Sequence, residues 1–267
     1  MAKYDSLIMK FLLGLRYPSL SYRRLKYSIE DLQSKLHKKR VYLYNNFRYE
    51  TKEALIKLTN ADQRLVDIAF NDFFCNTQFS NYIDNSLNFG HDLLKGGVSS
   101  AGDIEPTERL ILYCLVRVLK PDIVLETGVA NGVSSAYILK ALDENQKGVL
   151  ISVDLPSVAL KAIFHKDSGW VVPDELRKRW RLYLGKSSSV LPRILPMLSG
   201  VDLFFHDSDH SYSNMMFEFR TVYPFLRQGG VLTSDDATTH DALLDFADSL
   251  QKTPIIIKGT NFGAIRK

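Results

Sequence analysis

The sequence predicts an α/β fold in which a mostly parallel sheet is covered by helices and preceded by a helical extension. From about residue 120 onward, short apolar runs alternate with helical patterns, as is typical of parallel sheets. One of these runs is followed by a glycine-containing turn that leads into a helix, at 124–135. The last two runs, 254–258 and 261–265, are separated by only two residues, which indicates a short antiparallel hairpin.

The composition is that of a soluble globular protein. Of the 267 residues, 45% are hydrophobic and 24% are charged, which is ordinary for a chain that folds around its own core. No apolar run reaches the length that a membrane-spanning helix needs. The apolar run at 7–13 is interrupted by Lys10 and lacks a cleavage site of small residues, so we expect a cytoplasmic location rather than secretion.

Residues 1–98 are predicted to be a mostly helical extension that forms a lid or an oligomer contact. The first 60 residues contain 13 Lys and Arg against 5 Asp and Glu, a net charge of +8. A solvated helix face or a subunit contact is the favoured interpretation, so we expect a homo-oligomer. Weak contact with an anionic membrane surface is the alternative, and no nucleic-acid partner is expected. Helices are predicted to start at 28–32 and to occupy 61–74, and a turn is predicted at 95–103.

The two cysteines, Cys75 and Cys114, are each part of an apolar helical pattern. Such residues are more often buried free thiols in a reducing compartment than a disulfide or a pair of metal ligands. We therefore expect both thiols to be buried and unpaired.

The second predicted domain covers residues 99–267. It begins with a helix that has Pro106 in its first turn, Glu108 near its N-terminal end, where an acid is favourable, and an end at Lys120. The elements that follow are strands at 122–127, 149–154, 181–185, 201–206 and 229–234, and helices near 133–143, 173–180, 188–198, 212–226 and 240–250. In an open sheet of this kind the ligand lies beyond the carboxyl ends of the strands, so functional residues are expected directly after each strand.

The turn after the first of these strands suits a polar cofactor. Glu126 lies at the end of the strand, Gly128 and Gly132 follow four residues apart, and Ser134 opens the next helix. Glycine lets the backbone turn sharply and approach a ligand closely, and a helix N-terminus offers unpaired N–H groups. The spacing differs from that of the dinucleotide motif and is the pattern of class I methyltransferases, which bind S-adenosylmethionine (SAM).

The next two strand ends offer contacts for an adenosine. Asp154 follows the second strand, where a carboxylate can accept hydrogen bonds from both ribose hydroxyls. The alternative is that Asp154 only caps a helix. Gly185, Lys186 and Ser187 follow the third strand and could lie along the adenine, although a run of serines also suits the start of a helix.

The fourth and fifth strands end in acids that should lie side by side, Asp207 on one and Asp235 with Asp236 on the other. Converging carboxylates repel one another unless a cation lies between them. Oxygen ligands without cysteine indicate Mg²⁺, with Mn²⁺ or Ca²⁺ as further options. The alternative is that Asp235 and Asp236 cap the next helix while Asp207 bonds the cofactor or the backbone.

Histidines lie close to these acids. His210 follows Asp207 by three residues and can point into the same cleft, where an imidazole can accept a proton near neutral pH. The alternative is an exposed loop histidine without a role. His206 is expected to be packed within its strand, and Asp209 and His240 are candidates for a supporting or substrate-facing role.

From about residue 99 onward the chain resembles the metal-dependent O-methyltransferases. The resemblance rests on the motif at 121–134 and on the acids after the later strands. Catechol, caffeoyl-CoA and bacterial macrolide-sugar O-methyltransferases share this order, and the form Asp-x-Asp-His-Ser-Tyr leans toward the bacterial branch, which includes cephalosporin hydroxylase-like proteins. The resemblance implies a Rossmann-like class I methyltransferase sheet with an antiparallel last strand. It does not extend to the first hundred residues.

The resemblance also implies roles for single residues. Those that would hold the methionine part of SAM are Glu126, Gly128, Gly132 and Ser134, and those near the adenosine would be Asp154 on the ribose with Leu155, Gly185 and Ser187 by the adenine. Asp207, Asp235 and Asp236 would bind the metal, and His210 would be the base. The catechol enzymes have Asp-Asn where this chain has Asp235 and Asp236, so the metal site is more anionic here.

The expected function is SAM-dependent O-methylation, assisted by Mg²⁺, of a hydroxyl on a small molecule such as a sugar, a natural product or a catechol. A nucleic-acid methyltransferase is disfavoured, because 207–210 lacks the Asn/Asp-Pro-Pro-aromatic motif that such enzymes place there. The remaining alternatives are another reaction on the same fold, as in the hydroxylase-like branch, and a non-catalytic SAM-binding or scaffold protein.

Overall fold

The computed structural model describes residues 40–93, 104–155 and 166–267. Within these ranges the α-helices are α1 (Thr51–Thr59), α2 (Gln63–Cys75), α3 (Thr77–Leu93), α4 (Pro106–Leu119), α5 (Val133–Glu144), α6 (Ser187–Ile194), α7 (Tyr212–Val222) and α8 (Ala242–Ser249). The strands are β1 (Arg48–Tyr49), β2 (Ile123–Thr127), β3 (Val149–Asp154), β4 (Trp180–Leu184), β5 (Val201–His206), β6 (Leu226–Ser234), β7 (Ile255–Ile257) and β8 (Gly263–Arg266).

These strands form one sheet with the order β1-β7-β8-β6-β5-β2-β3-β4. Strands β4, β3, β2, β5 and β6 pair in parallel, while β8 pairs antiparallel to both β6 and β7. The predicted fold class is therefore confirmed, including the antiparallel strand near the end of the chain.

Two hydrophobic clusters pack on the faces of the sheet. Helices α1, α2, α4 and α5 contribute to one cluster, and α6, α7 and α8 contribute to the other. The sheet strands supply alternate side chains to both clusters, for example Val124 to the first and Leu125 to the second. This sandwich leaves the carboxyl ends of the parallel strands free to carry polar residues.

Several element boundaries differ from those predicted, and proline explains two of them. The helix predicted at 188–198 is an α-helix to Ile194 followed by a 3₁₀ turn containing Pro196. The helix predicted at 212–226 ends at Val222, and a 3₁₀ turn containing Pro224 leads into β6. Proline removes a helical N–H donor and clashes with the preceding turn. The segment predicted as helix at 173–180 is a 3₁₀ helix.

The described part of the N-terminal region is attached to the sheet. Strand β1 pairs in parallel with β7, and Leu55 and Leu58 of α1 lie in the same core cluster as α4. Before β1, the buried Tyr44 hydroxyl donates to the carbonyl of His240 at 3.0 Å. The predicted helix start at 28–32, the turn at 95–103 and the domain boundary after residue 98 lie outside the described residues.

The prediction for the cysteines is correct for one of them. Cys114 is buried in α4, and burial raises the pKa of its thiol. Cys75 is exposed, because it is the last residue of α2 and faces away from the helix stripe that contains Val66 and Ala69. Both are free thiols.

None of the helices in the described ranges combines the length and the apolar character needed to cross a bilayer.

Candidate active site

Three functional candidates meet at the carboxyl ends of β5 and β6. Ligand atoms of Asp207, His210 and Asp235 all lie within 4.8 Å of one another. The backbone fixes this arrangement, because Asp235 donates its N–H to the carbonyl of His206 at 2.9 Å and Asp207 donates its own to Thr127 at 2.8 Å. The ends of β2, β5 and β6 are thus bonded to one another beside the cluster.

Gly128 brings the glycine turn against the same loop. It has a φ of +85°, and a Cβ placed there would lie 1.8 Å from the carbonyl oxygen of Asp207. Only glycine fits so close a backbone approach. Gly132 has a φ of +95°, and a Cβ placed on it would lie 2.5 Å from the Cα of Gly169. Both glycines are therefore required by neighbouring backbone of this chain.

Replacing Gly128 with alanine should destabilise the fold by roughly 3 kcal/mol or more, since backbone atoms cannot move aside as a side chain can. A matched control is Gly259→Ala, because Gly259 has a φ of +81° but nothing within 4 Å of the Cβ position. That variant carries only the cost of left-handed backbone, about 1 kcal/mol. Thermal unfolding of both variants checks the comparison, and equal losses would contradict it.

Glu126 is fully buried and serves as an anchor for three serines. Its carboxylate accepts hydrogen bonds from Ser134 and Ser135 of α5 at 2.6 Å and from Ser152 of β3 at 2.7 Å. Burial raises the pKa of Glu126 to about 7, although the serine hydroxyls act to lower it. In the described structure the Glu126 side chain therefore connects β2 to β3 through Ser152 and to the start of α5 through Ser134 and Ser135.

Asp154 lies at the end of β3 with both carboxylate oxygens engaged. It accepts the N–H of Val129 at 3.0 Å and the hydroxyl of Ser168. Ser168 belongs to a segment that crosses the glycine turn, where Gly169 donates to the carbonyl of Ala130 at 2.9 Å. Each oxygen of the carboxylate thus accepts one hydrogen bond within the chain and keeps a lone pair for a further donor.

The predicted adenine neighbours lie at the ends of β3 and β4. Leu155 is exposed directly after β3, and Gly185 donates its N–H to the carbonyl of Asp154 at 2.8 Å. Ser187 begins α6 and lies 3.5 Å from the side-chain oxygen of Asn214. Leu184 is also exposed at this edge and was not among the predicted site residues.

His210 and Asp207 form a close pair. The His210 Nε2 lies 3.5 Å from an Asp207 oxygen, and the side chains are 29% and 16% exposed. Burial lowers the pKa of His210, but Asp207 and the other carboxylates outweigh it and raise that pKa to about 9. Burial raises the pKa of Asp207 to about 7 although the hydrogen bond from His210 acts to lower it. Without another cation, the imidazole holds a proton at neutral pH.

Asp236 lies outside the close group formed by its neighbour. It has a left-handed backbone, with a φ of 49°, and donates its N–H to the Asp235 carboxylate at 2.7 Å. Its own carboxylate faces the amide of Asn261 at 3.5 Å. Of the three predicted metal ligands, the structure brings two together with His210 and leaves Asp236 at the edge.

A buried carboxylate beneath the loop was missed in the sequence. Glu218 of α7 and His206 are both inaccessible to solvent, with their side chains 2.6 Å apart. Burial acts to raise the pKa of Glu218, but His206 and the surrounding hydroxyls outweigh it and lower that pKa to about 2. Glu218 also accepts hydrogen bonds from Thr127 at 2.5 Å and Ser208 at 2.8 Å. As expected, His206 is packed rather than exposed.

His240 holds the same loop from the other side. Its Nδ1 accepts the N–H of Ala242 at 3.2 Å, so its Nε2 donates to the carbonyl of His210 at 2.7 Å. Burial lowers the pKa of His240, which favours this neutral form. Asp209 accepts the N–H of Ser211 at 3.0 Å and closes the turn before α7. Both residues support the loop that carries His210.

Glu108 is a further acid that the sequence did not assign to the site. It is 4% exposed in the first turn of α4 and accepts the N–H of Glu105 at 3.2 Å. Burial, together with the charge of Asp235 and a hydrogen bond to it, raises the pKa of Glu108 to about 8. One signal was present: Glu108 lies three and seven residues before Ile111 and Leu115, on the apolar stripe of its helix.

Glu108 lines a cavity of about 790 Å³ that extends from Asp235. The described residues around it come from the N-terminal region, the start of α4, the turn after β6 and the turn between β7 and β8; they are Arg48, Glu105, Thr107, Glu108, Asp235, Asp236, Gly259, Thr260 and Asn261. The predicted extension therefore contributes a residue, Arg48, to the surroundings of the acidic cluster.

Comparison with known proteins identifies a matching domain and a shared fold. Residues 125–237 match the model of a family described as a methyltransferase domain. No curated protein matches the chain significantly.

Solved structures with similar folds come from distant relatives. An O-methyltransferase from Bacillus cereus in complex with S-adenosylhomocysteine (SAH) is 17% identical, with a TM-score of 0.53 over 70% of this chain and 91% of that one. TomG from Streptomyces achromogenes, an O-methyltransferase of tomaymycin synthesis bound to SAM, is 16% identical, with a TM-score of 0.50 over 88% and 98%. An SAH-bound methyltransferase from Podospora anserina is 13% identical, with a TM-score of 0.51 over 70% and 86%. Residues 125–237 of the chain therefore match a methyltransferase domain, and the fold is that of these SAM- and SAH-bound methyltransferases.

Proposed function

We propose that the protein transfers the methyl group of SAM to a hydroxyl oxygen of a small molecule, with the help of a divalent cation. The observation that carries this proposal is the convergence of Asp207, His210 and Asp235 beside the glycine turn. The contact between Gly128 and the Asp207 carbonyl joins the expected donor site to this cluster. The similar structures from Bacillus cereus and Streptomyces achromogenes are described as O-methyltransferases, which favours oxygen as the acceptor atom.

The donor set suits a hard divalent cation. Asp207 and Asp235 offer carboxylate oxygens, the ligands that Mg²⁺ and Mn²⁺ prefer, and the imidazole of His210 beside them would stay free of the cation. The Nδ1 atom of His210 is buried and has no hydrogen-bond partner among the described residues. A cation bound here would polarise the acceptor oxygen and lower the pKa of its hydroxyl.

His210 would act as the base. A base must be unprotonated, whereas the neighbouring carboxylates hold a proton on His210 by raising its pKa to about 9. Neutralising those carboxylates with a bound cation removes the cause of the raised pKa and frees the imidazole at neutral pH. His210 would then take the hydroxyl proton while the oxygen attacks the methyl carbon, and the carbon–sulfur bond would break with its electron pair left on sulfur.

The donor would lie along the ends of β2, β3 and β4. We propose that Gly128, Gly132 and the first turn of α5 face the methionine part, that Asp154 bonds the ribose, and that Leu155 and Leu184 flank the adenine. Ser168 and Val129 each use one acceptor site of the Asp154 carboxylate, which leaves further lone pairs for a ribose hydroxyl. Glu126 would act through Ser134 and Ser135 rather than by direct contact.

Removing the divalent cation should abolish turnover. The assay incubates the protein with SAM and a panel of sugars, polyols and catechols, and measures SAH release and the methylated product by mass spectrometry. Product formation should stop in EDTA and return when Mg²⁺ is restored in excess. Undiminished methylation in EDTA would remove the cation from the proposal, and the absence of any methylated acceptor would count against the function itself.

An Asp207→Asn variant should bind Mn²⁺ at least tenfold more weakly than the wild type, as followed by electron paramagnetic resonance. Loss of one carboxylate charge from the cluster is the physical reason. Asp174→Asn is a suitable control, since the Asp174 side chain is fully exposed and lies in a different part of the fold. Equal Mn²⁺ affinity in all three proteins would contradict the assignment of Asp207.

A further inference from the structure

Tyr44 joins the N-terminal region to the start of α8. It lies in a 3₁₀ helix, Val41–Phe47, that precedes β1, and its side chain is completely buried. Its hydroxyl donates to the carbonyl of His240 at 3.0 Å and accepts the N–H of Leu244 at 3.3 Å. Because the first N–H groups of a helix have no partner within that helix, Tyr44 caps α8 from a segment 200 residues earlier in the chain.

Arg40 holds the same segment in place. Its backbone N–H lies 3.0 Å from both carboxylate oxygens of Asp241, and its guanidinium pairs with Asp245 and, at 2.7 Å, with Asp248. At the other end the segment continues into β1, which pairs with β7. Tyr44 therefore meets α8 in a position that is fixed on both sides of it.

His240 extends this contact to the loop that carries the proposed base. Its backbone carbonyl accepts from Tyr44, while its imidazole Nε2 donates to the carbonyl of His210 at 2.7 Å. The ring is oriented by its Nδ1, which accepts the N–H of Ala242, and by the ring of Tyr212, whose centroid lies 5.8 Å away. Because His240 is 1% exposed and closely packed, a shift of its backbone is passed on to its ring.

We propose that Tyr44 is a positioning residue for His210: its hydroxyl fixes His240, and His240 fixes the backbone that carries the base. This inference rests on the proposed function, because it takes His210 as the base. Neither Tyr44 nor His240 lies within residues 125–237, which match the methyltransferase domain. A displacement of about 1 Å in a reacting group can slow a reaction roughly 10²-fold. Tyr44 therefore affects the rate of methyl transfer without contacting either substrate.

The first test does not depend on turnover. His210–Ser211 is the only His–Ser pair in the sequence, so protein labelled with ¹³C at the histidine carbonyls and ¹⁵N at serine gives a single carbonyl–amide NMR signal. Tyr44→Phe removes the hydroxyl and keeps the ring, and it should shift this signal because the hydrogen bond to the His210 carbonyl changes.

The matched control is Tyr42→Phe. It makes the same substitution in the same 3₁₀ helix, at a side chain that is 68% exposed, and should leave the signal in place. An unmoved signal in Tyr44→Phe, or an equal shift in Tyr42→Phe, would overturn the inference.

The second test asks whether Tyr44 acts through His210. With the best acceptor from the panel and saturating Mg²⁺, Tyr44→Phe should lower kcat roughly tenfold, while the acceptor KM and the SAH affinity stay unchanged. In a His210→Ala background the same substitution should change the residual rate little, because the base that Tyr44 positions is gone. A purely structural loss would slow both backgrounds by the same factor, and that result would contradict the inference.

His240 offers a rescue experiment. Glutamine has an amide nitrogen that can donate to the His210 carbonyl in place of the imidazole Nε2, whereas leucine has no donor. His240→Gln should therefore keep most of the wild-type rate, and His240→Leu should lose at least as much as Tyr44→Phe. Equal rates in the two His240 variants would break the proposed chain of contacts.

Failure of the proposed function has a different signature. Wild-type protein that releases no SAH with any acceptor would count against methyl transfer itself, whatever the NMR signal does. Wild-type turnover together with an unmoved His210 signal in Tyr44→Phe would overturn this inference alone.

Discussion

Replacing His210 with alanine should slow methyl transfer by roughly 10²–10⁴-fold, the contribution expected from a positioned general base. His210 is close enough to the carboxylates for its proton affinity to depend on them, and its loop is held from both sides by His240 and Glu218. The variant should still bind SAH, because His210 is outside the expected donor site. The rate is measured with the best acceptor from the panel, under saturating SAM and Mg²⁺.

The pH profile separates a lost base from a distorted site. In the cation-bound wild type, activity should fall as the pH drops below about 6.5, where an ordinary imidazole takes up a proton. The residual activity of His210→Ala should lack that step. Calorimetric SAH affinity serves as the control for folding of the site. An alanine variant with wild-type rate and the same acid limb would exclude His210 as the base.

Replacing Glu218 with alanine should cost about 3 kcal/mol or more of stability, because several buried polar groups would lose their hydrogen-bond partner at once. His206 and the hydroxyl of Thr127 would lose their partner away from solvent, and the partly buried hydroxyl of Ser208 would lose its acceptor. Thermal or urea unfolding measures the loss. Glu53→Ala, at an exposed position of α1, should change stability little and is the matched control.

The same carboxylate predicts a dependence on pH. The pKa of Glu218 is lowered to about 2 in the fold, compared with about 4.3 for an unperturbed glutamate. Its contribution to stability is therefore complete above about pH 4.3 and is lost as the pH falls toward 2. The stability difference between wild type and Glu218→Gln should shrink across that window, and a constant difference would contradict the argument.

The sheet and its connections could be predicted because the hydrophobic periodicity of the sequence indicates where strands and helices lie. The alternation of apolar runs and helices sets the parallel strands, and the residues that follow the strands set which acids can meet. Asp207 and Asp235 meet because the strands that carry them are neighbours in the sheet. The expected order of the strands, rather than any single motif, was the basis for predicting that these two acids lie close together.

Features that depend on tertiary contacts could not be predicted from the sequence. Strand β1 has two residues and no periodic signal, so neither its pairing with β7 nor the position of Arg48 by the cavity could be foreseen. Ser168 reaches Asp154 only because its segment folds back over the glycine turn. The position of Glu108 on the apolar stripe of its helix indicated a buried acid, but the sequence did not show that it lies next to Asp235.

The contact between Gly128 and the Asp207 carbonyl has an energetic consequence. Two backbones in such close contact cannot shift independently, so the geometry of the proposed donor site would be coupled to that of the acidic cluster. Linkage then requires reciprocity: if SAH tightens Mn²⁺ binding by some factor, Mn²⁺ must tighten SAH binding by the same factor. Through the glycine turn, binding of the cofactor would then favour binding of the cation, and binding of the cation would favour binding of the cofactor.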